Sequence, residues 1–283
     1  MVEHPGGERL LIVNADDYGL TEGVSRGILD AAANGIVTST SVLAVAPAFE
    51  RSAPWLAGSG LAVGAHLAAV GEDPPLLSAR EVPTLVDRRG AFARSWRQLL
   101  PRVAAGRVDP ADLRREFAAQ IERIAGAGLA VGHVDSHQHV HLWPAVGRVV
   151  LDVAGQAGVR AVRIIRSASG APVGRVVNRL GRRFEAAAAG AGFAWPATAT
   201  GLDEAGALAG PRMLDALGRL GASGAPSAEL AVHPGEHRDL ARERYRWGYR
   251  WGDELDALRD PATRAAVGRW GFRLGTYAEL GTA

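Results

Sequence analysis

The 283-residue chain is 47% hydrophobic and 22% charged, has a formal net charge of +2, and contains neither cysteine nor lysine. That balance is ordinary for a globular domain and too weakly basic to argue for nucleic acid. The two missing residue types exclude disulfides, thiolate nucleophiles, Cys-ligated zinc, Schiff-base lysines and the P-loop lysine. The opening "MVEHPGGER" has no apolar stretch, and no later run reaches membrane-spanning length without a charge or a breaker, so a cytoplasmic protein without membrane insertion is expected.

In chain order, "RLLIVNA" reads as a buried strand and "GVSRGILDAAANG" as a helix ending near Gly35. "IVTSTSVLAV" is a second strand, followed by a helix around Phe49 to Leu56 and a third strand, "LAVGAHL". A long connection from Ala68 to about Val108 contains Pro74, Pro75 and Pro83, which disfavour regular structure in its first part. "PADLRREFAAQIERIAGAG" is the clearest amphipathic helix, with Pro110 suited to its first turn. "LAVGHVDSH" is a fourth strand, a helix follows Pro144, and "RAVRII" is a fifth strand. Helical stretches near 174–190 and 211–221 flank an ambiguous strand around 194–200, and "AELAVHPG" and "GFRLGT" supply the last strands. Seven or eight strand–helix units without a linker or internal repeat predict one α/β domain of barrel type over residues 1–283.

In such folds polar residues at strand ends mark the site, because those loops open on one face. Asp16 and Asp17 end the first strand, His66 the third, "HVDSHQHVH" the fourth, and His233 the strand near 230. Side chains alternate along a strand, so the two acids can share a site only if the chain bends there. Asp135, His137, His139 and His141 lie two residues apart, and an extended chain presents all four on one face. An acid and two histidines from separate strands suit Zn²⁺ with an open position, and Co²⁺, Mn²⁺, Ni²⁺ or Fe²⁺ also fit. With one acid on the metal and its neighbour taking a proton from water, the set can carry metal-assisted hydrolysis, with His233 as an acid. Amidase, phosphoesterase and sugar isomerase chemistry all remain open on this pattern.

"LLIVNADDYGLTEGVSRGI", "NGIVTSTSVLA", "VGAHL", "HVDSHQHVHLWP", "VRIIR", "HPG" and "GFRLGTYAEL" occur in the order seen in YdjC-like carbohydrate deacetylases. That family includes chitooligosaccharide deacetylases and deacetylase-like proteins of hopanoid biosynthesis. The resemblance runs from Arg9 to Leu280. It implies a variant (β/α) barrel that hydrolyses N-acetyl groups on amino sugars with one divalent ion. By position it implies Asp17, His66 and His137 as metal ligands, Asp16 as general base and His233 as general acid.

Asp135 reads as support that orients a histidine through its other ring nitrogen, and Arg163 as a contact to substrate or to Asp16. His139 falls near the site, Gln138 stands where relatives often carry another histidine, and Tyr18 adds a hydroxyl where Phe is more usual. The family metal is described as magnesium or zinc; two histidines favour zinc or another transition ion. The implied substrate is an N-acetylated sugar: a chitooligosaccharide, a glycolipid or an antibiotic sugar. The competing expectations are hydrolysis of another bond, such as a phosphodiester or different amide, and a non-catalytic carbohydrate- or RNA-binding barrel. Finally, "RERYRWGYRWGDEL" interleaves arginines with Tyr245, Trp247, Tyr249 and Trp251. Core or subunit packing, as in a homo-oligomer, sugar stacking and nucleic-acid binding are its three readings.

Overall fold

The computed structural model describes residues 9–281, so all of "MVEHPGGER" except Arg9 lies outside it. The elements are β1 (Arg9–Tyr18), α1 (Glu22–Ala33), β2 (Ser39–Val42), α2 (Phe49–Ser52), β3 (Ala62–Leu67), α3 (Trp96–Ala104), α4 (Pro110–Gly126) and β4 (Val131–Ser136). They continue with α5 (Pro144–Gln156), α6 (Pro172–Gly190), β5 (Thr198–Thr200), α7 (Pro211–Ala222), β6 (Ser227–Val232), α8 (Trp251–Arg259), α9 (Pro261–Arg269) and β7 (Phe272–Leu274). The seven strands form one sheet in the order β4-β3-β2-β1-β6-β5, with β7 paired to the start of β1. Every pairing is parallel, as strands joined by helical crossovers require. β1 is buried from Leu10 to Tyr18, which is why it reads as a near-continuous apolar run.

Two stretches depart from the sequence expectation. Arg160–Ile165 makes only single parallel bridges, Val162 to Val134 and Ala161 to Ala194, so it is an extended segment rather than a full strand. Those bridges nevertheless extend the sheet from β4 toward the segment that leads into β5. The connection 68–108 contains α3, and a polar stripe on α4 ties down its irregular part. Asp112 accepts from Thr84, Glu116 accepts from the Leu76 and Leu77 amides, and Gln120 bonds both backbone groups of Ala68. The opposite requirement, burial, is met on the same helix by Leu113, Phe117, Ile121 and Ile124. α8 and α9 emerge from a stretch whose aromatic residues hide a helical pattern, although Asp260 before Pro261 is an ordinary cap and first turn.

Candidate active site

The C-terminal ends of β1, β3, β4 and β6, with the extended segment at 163, bring the singled-out side chains together. β1 bends at the two acids. Between Ala15 and Tyr18 it spends three residues against two on β2, and Asp17 takes φ 67°, a left-handed conformation rare for a side-chain-bearing residue. This local bulge lets Asp16 and Asp17 line the same cleft. The chain then turns at Gly19 (φ 94°), and Thr21 caps α1 by accepting from the Val24 amide.

Asp17 lies between two histidines. Its Oδ1 is 3.5 Å from His66 Nε2 and 3.3 Å from His137 Nδ1, and all three residues are buried. This Oδ1 has no hydrogen-bond partner. Bonds of about 2.1 Å in a tetrahedral site place ligand atoms roughly 3.4 Å apart, so the spacing fits a divalent ion. Burial alone would raise the Asp17 carboxyl, but His137, then His66 and His233, hold it well below the usual carboxylate range. His66 and Asp135 are register partners on β3 and β4, and their Nδ1 and Oδ1 atoms are 2.7 Å apart. That contact orients the ring so that Nε2 faces Asp17. Burial opposes the charged imidazole, yet Asp135, then Asp16 and Asp17, raise its pKa to about 9.

Behind this centre a fully buried guanidinium organises three carboxylates. Arg163 donates Nη1 and Nη2 to the two oxygens of Asp16 at 2.7 Å each, and Nε to Glu229 at 2.7 Å; Nη1 is also 2.5 Å from Asp135. Asn14 donates to Asp16 Oδ1 and to Ser41, which donates to Asp135 Oδ2. Asp16, His66 and Asp135 also cluster closely enough for a cation, but the Arg163 charge already occupies that side. The Asp17–His66–His137 group is therefore the better-suited divalent site.

The third wall carries His233, whose Nε2 is 3.8 Å from Asp16 Oδ2. Its backbone amide donates to the buried carboxylate of Glu254 at 2.6 Å, and the same carboxylate accepts from Leu208. Tyr249 meets the His233 ring edge-on at 4.9 Å, and Trp247 lies 5.3 Å from His137. The arginine-aromatic segment is thus a strap rather than a free surface. Arg244 and Tyr245 bond Asp73, and Trp247 donates to Glu72, so it docks on the 68–108 connection. Trp247 and Tyr249 still line the cleft.

Two expectations are corrected. The four alternating residues of "DSHQH" and its continuation do not share one face, because β4 ends at Ser136 and Gln138 and His139 have positive φ. His137 consequently reaches Asp17, and His139 lines the cleft as a neutral ring, its pKa held well below normal by burial and by Arg163. His141 turns away to Ser136 and the Arg163 carbonyl. The Tyr18 hydroxyl does not approach the site; it donates into the core, to the Ser52 carbonyl at 2.7 Å. Glu229, Glu254 and Ser41 bond within the site without having been singled out for it, whereas Trp247 and Tyr249 are among the aromatics that the sequence marks for sugar stacking. Burial of a lone acid in an apolar strand, "AELAV", was the available signal for Glu229.

The cleft has a volume of about 690 Å³ and runs from the acids and histidines toward α3 and α6. No helix among the described residues is long and apolar enough to cross a membrane.

Comparison with known proteins matches the model of the YdjC-like protein family over residues 10–269. A chitooligosaccharide deacetylase of Klebsiella pneumoniae (strain 342) is 33% identical over 275 residues, which are 96% of this chain and 100% of that protein. A carbohydrate deacetylase of Brevibacillus brevis is 40% identical over 146 residues, 51% of this chain and 55% of its own length. A solved structure from Enterococcus faecalis V583, described as a cellobiose-phosphate cleavage protein, matches with TM-score 0.78 at 26% identity, covering 96% of this chain and 98% of the other.

Proposed function

The chain belongs to the YdjC-like protein family, and on that premise we propose that it is a metal-dependent hydrolase removing an N-acetyl group from an amino sugar. The observation that carries the reading is the unpartnered, buried Asp17 oxygen facing two histidine nitrogens at ligand spacing, with a second acid beside it. Asp17, His66 and His137 hold the ion, and two imidazole nitrogens favour zinc over magnesium. A divalent ion there supplies Lewis acidity to the acetamide carbonyl and lowers the pKa of an attacking water.

Asp16 is the general base. Its carboxylate is fixed by the Arg163 fork and Asn14 yet lines the cleft beside Asp17. As water adds to the acetamide carbon, Asp16 accepts its proton. The C–N bond then breaks, and His233 gives a proton to the departing amine, leaving acetate and a free amino sugar. His233 is placed for this by its amide bond to Glu254 and by Tyr249 against its ring. Asp135 and Arg163 are positioning residues, acting through His66 and Asp16. The whole chain serves as one catalytic domain of a cytoplasmic enzyme, with an N-acetylated sugar as its partner.

Asp16→Asn tests the division of labour. The variant is expected to keep its metal, measured by elemental analysis, while acetate release falls by about 10² or more. Loss of the ion together with activity would show that Asp16 is a ligand and not the base.

A further inference from the structure

The closing "GFRLGTYAEL" sends one large polar side chain into the interior. β7 pairs with the start of β1, the Gly275 amide donates to the Leu11 carbonyl, and a single 3-10 turn follows at Tyr277–Glu279. Thr276 and Glu279 cap that turn reciprocally, the Thr276 amide donating to Glu279 Oε1 at 2.7 Å. The cap fixes Tyr277, which is 2% exposed and packs with Leu10, Ile12 and Ala161.

The Tyr277 ring and its hydroxyl meet two different parts of the polar layer behind the metal centre. The ring stacks on His133, with centroids 3.9 Å apart and planes at 12°. His133 fits there because its register partner on β3 is Gly64, where a Cβ would fall 2.2 Å from the imidazole. Its Nε2 is 3.1 Å from the Ser41 hydroxyl, which donates to Asp135. The Tyr277 hydroxyl faces Glu229. Arg163 takes Glu229 Oε1, while Oε2 and the hydroxyl are buried with no other partner. Burial pushes the Glu229 carboxyl up, and Arg163, then the Tyr277 hydroxyl, oppose it. Burial, then Glu229, push the phenol well above its ordinary value. Two buried polar atoms left only to each other are costly unless they serve something. Neither residue lines the cleft, so their influence on the reaction passes through Arg163.

We infer that Tyr277 is a positioning residue for the reaction, its hydroxyl keeping Glu229 a carboxylate so that Arg163 stays anchored at Nε and aims its terminal nitrogens at Asp16. The inference rests on the reading of Asp16 as the general base. Without the hydroxyl, Glu229 takes a proton and its hold on Nε weakens. The guanidinium then loses one of its three carboxylate anchors and no longer fixes the Asp16 oxygens against the attacking water.

The test uses the zinc-loaded full chain and acetate release from methyl N-acetyl-β-D-glucosaminide. Tyr277→Phe keeps the ring and its stack on His133 and removes only the hydroxyl. Its kcat is expected to fall about tenfold or more, with KM and zinc affinity within about twofold of wild type. Glu229→Gln is expected to show the same split. Tyr277→Phe/Glu229→Gln should lose no more than about a further twofold, because both changes break one chain of contacts. Val267→Ala, a core truncation on α9, controls for stability: it lowers the melting temperature and keeps kcat.

A Tyr277→Phe kcat within about twofold of wild type overturns the inference. So do losses that multiply in the double variant, or a fall in zinc affinity that accounts for the lost activity. Infrared spectra at neutral pH need no turnover. Tyr277→Phe should gain a protonated-carboxyl band that disappears in the double variant, and failure to gain it also overturns the inference. If zinc-loaded wild type releases no acetate while that band behaves as stated, the link from Tyr277 to Glu229 stands and the deacetylase reading falls.

Discussion

Replacing Arg163 by Met removes the guanidinium shared by Asp16, Asp135 and Glu229, which are at most 1% exposed. Methionine keeps the unbranched apolar stem but offers no donor, so five N–H groups and a full charge disappear from a closed site. Removing one member of a buried ion pair costs about 3–5 kcal/mol, because the remaining charge is left without compensation. Against a total stability of roughly 5–15 kcal/mol, that loss is large.

The pH dependence identifies its cause. In the wild-type protein burial tends to raise the Asp135 carboxyl, but Arg163 and then His66 hold it well below the usual range. Its contribution to stability is therefore present above the unfolded value, near pH 4, and is lost as pH falls. Glu229 is already pushed upward by burial, with Arg163 opposing. Without Arg163 the Glu229 carboxyl rises further above its unfolded value of about 4, and Asp135 keeps only its histidine neighbours to hold it down, so the folded variant binds more protons than the folded wild type. Stability attributable to Glu229 is then lost as pH rises. The gap between wild type and Arg163→Met should widen from pH 4.5 to 6, by up to about 1.4 kcal/mol per pH unit for each retained proton. Urea titrations of metal-stripped protein measure it, and the window avoids His66, which stays protonated in both states there. A gap below about 1 kcal/mol at pH 6, or one that does not widen, would refute the account of Arg163 as the charge that holds this site together.

Two further outcomes follow from the same geometry. His66, raised to about 9 by Asp135 despite burial, keeps its proton at pH 7.5 in the metal-free protein. Zinc binding should therefore release at least one proton, and its affinity should climb about tenfold per pH unit between 7 and 8.5. Calorimetry in buffers of different ionisation enthalpy reads this, and a buffer-independent enthalpy contradicts it. Gly206 has φ 71°, and a Cβ there would lie 2.1 Å from the Tyr249 ring. Gly206→Ala should cost about 1–2 kcal/mol for the backbone and 1–3 kcal/mol for the displaced ring. Thermal unfolding checks the sum, and a loss under 1 kcal/mol means Tyr249 is not held by that cradle.

Much of the site was legible because its chemistry sits at the ends of apolar strands. The run Leu10 to Val13 announces β1, and alternation alone demands the bend found at Asp17 (φ 67°). His66 and Asp135 become register partners through parallel pairing, which periodicity anticipates in kind but not in alignment. The spacing of Asp135, His137, His139 and His141 misled, since alternation holds only while a strand continues and β4 stops at Ser136. Arg163, Glu229 and Glu254 make contacts across 147, 66 and 21 positions, respectively. Such partners are set by the order in which the strands pair, and no local pattern encodes them. The aromatic strap was visible as a motif, yet its docking on Asp73 and Glu72 depends on the α4 stripe that fixes the 68–108 connection.

The central claim is that one ion on Asp17, His66 and His137 makes this chain a deacetylase. Chelator-stripped protein titrated with zinc, with acetate release from an N-acetylglucosaminide as the readout, tests it most directly. Activity should rise to a plateau at one ion per chain and stay absent in His66→Ala at the same zinc concentration. Acetate release that is independent of added metal, or retained in His66→Ala, would contradict the assignment.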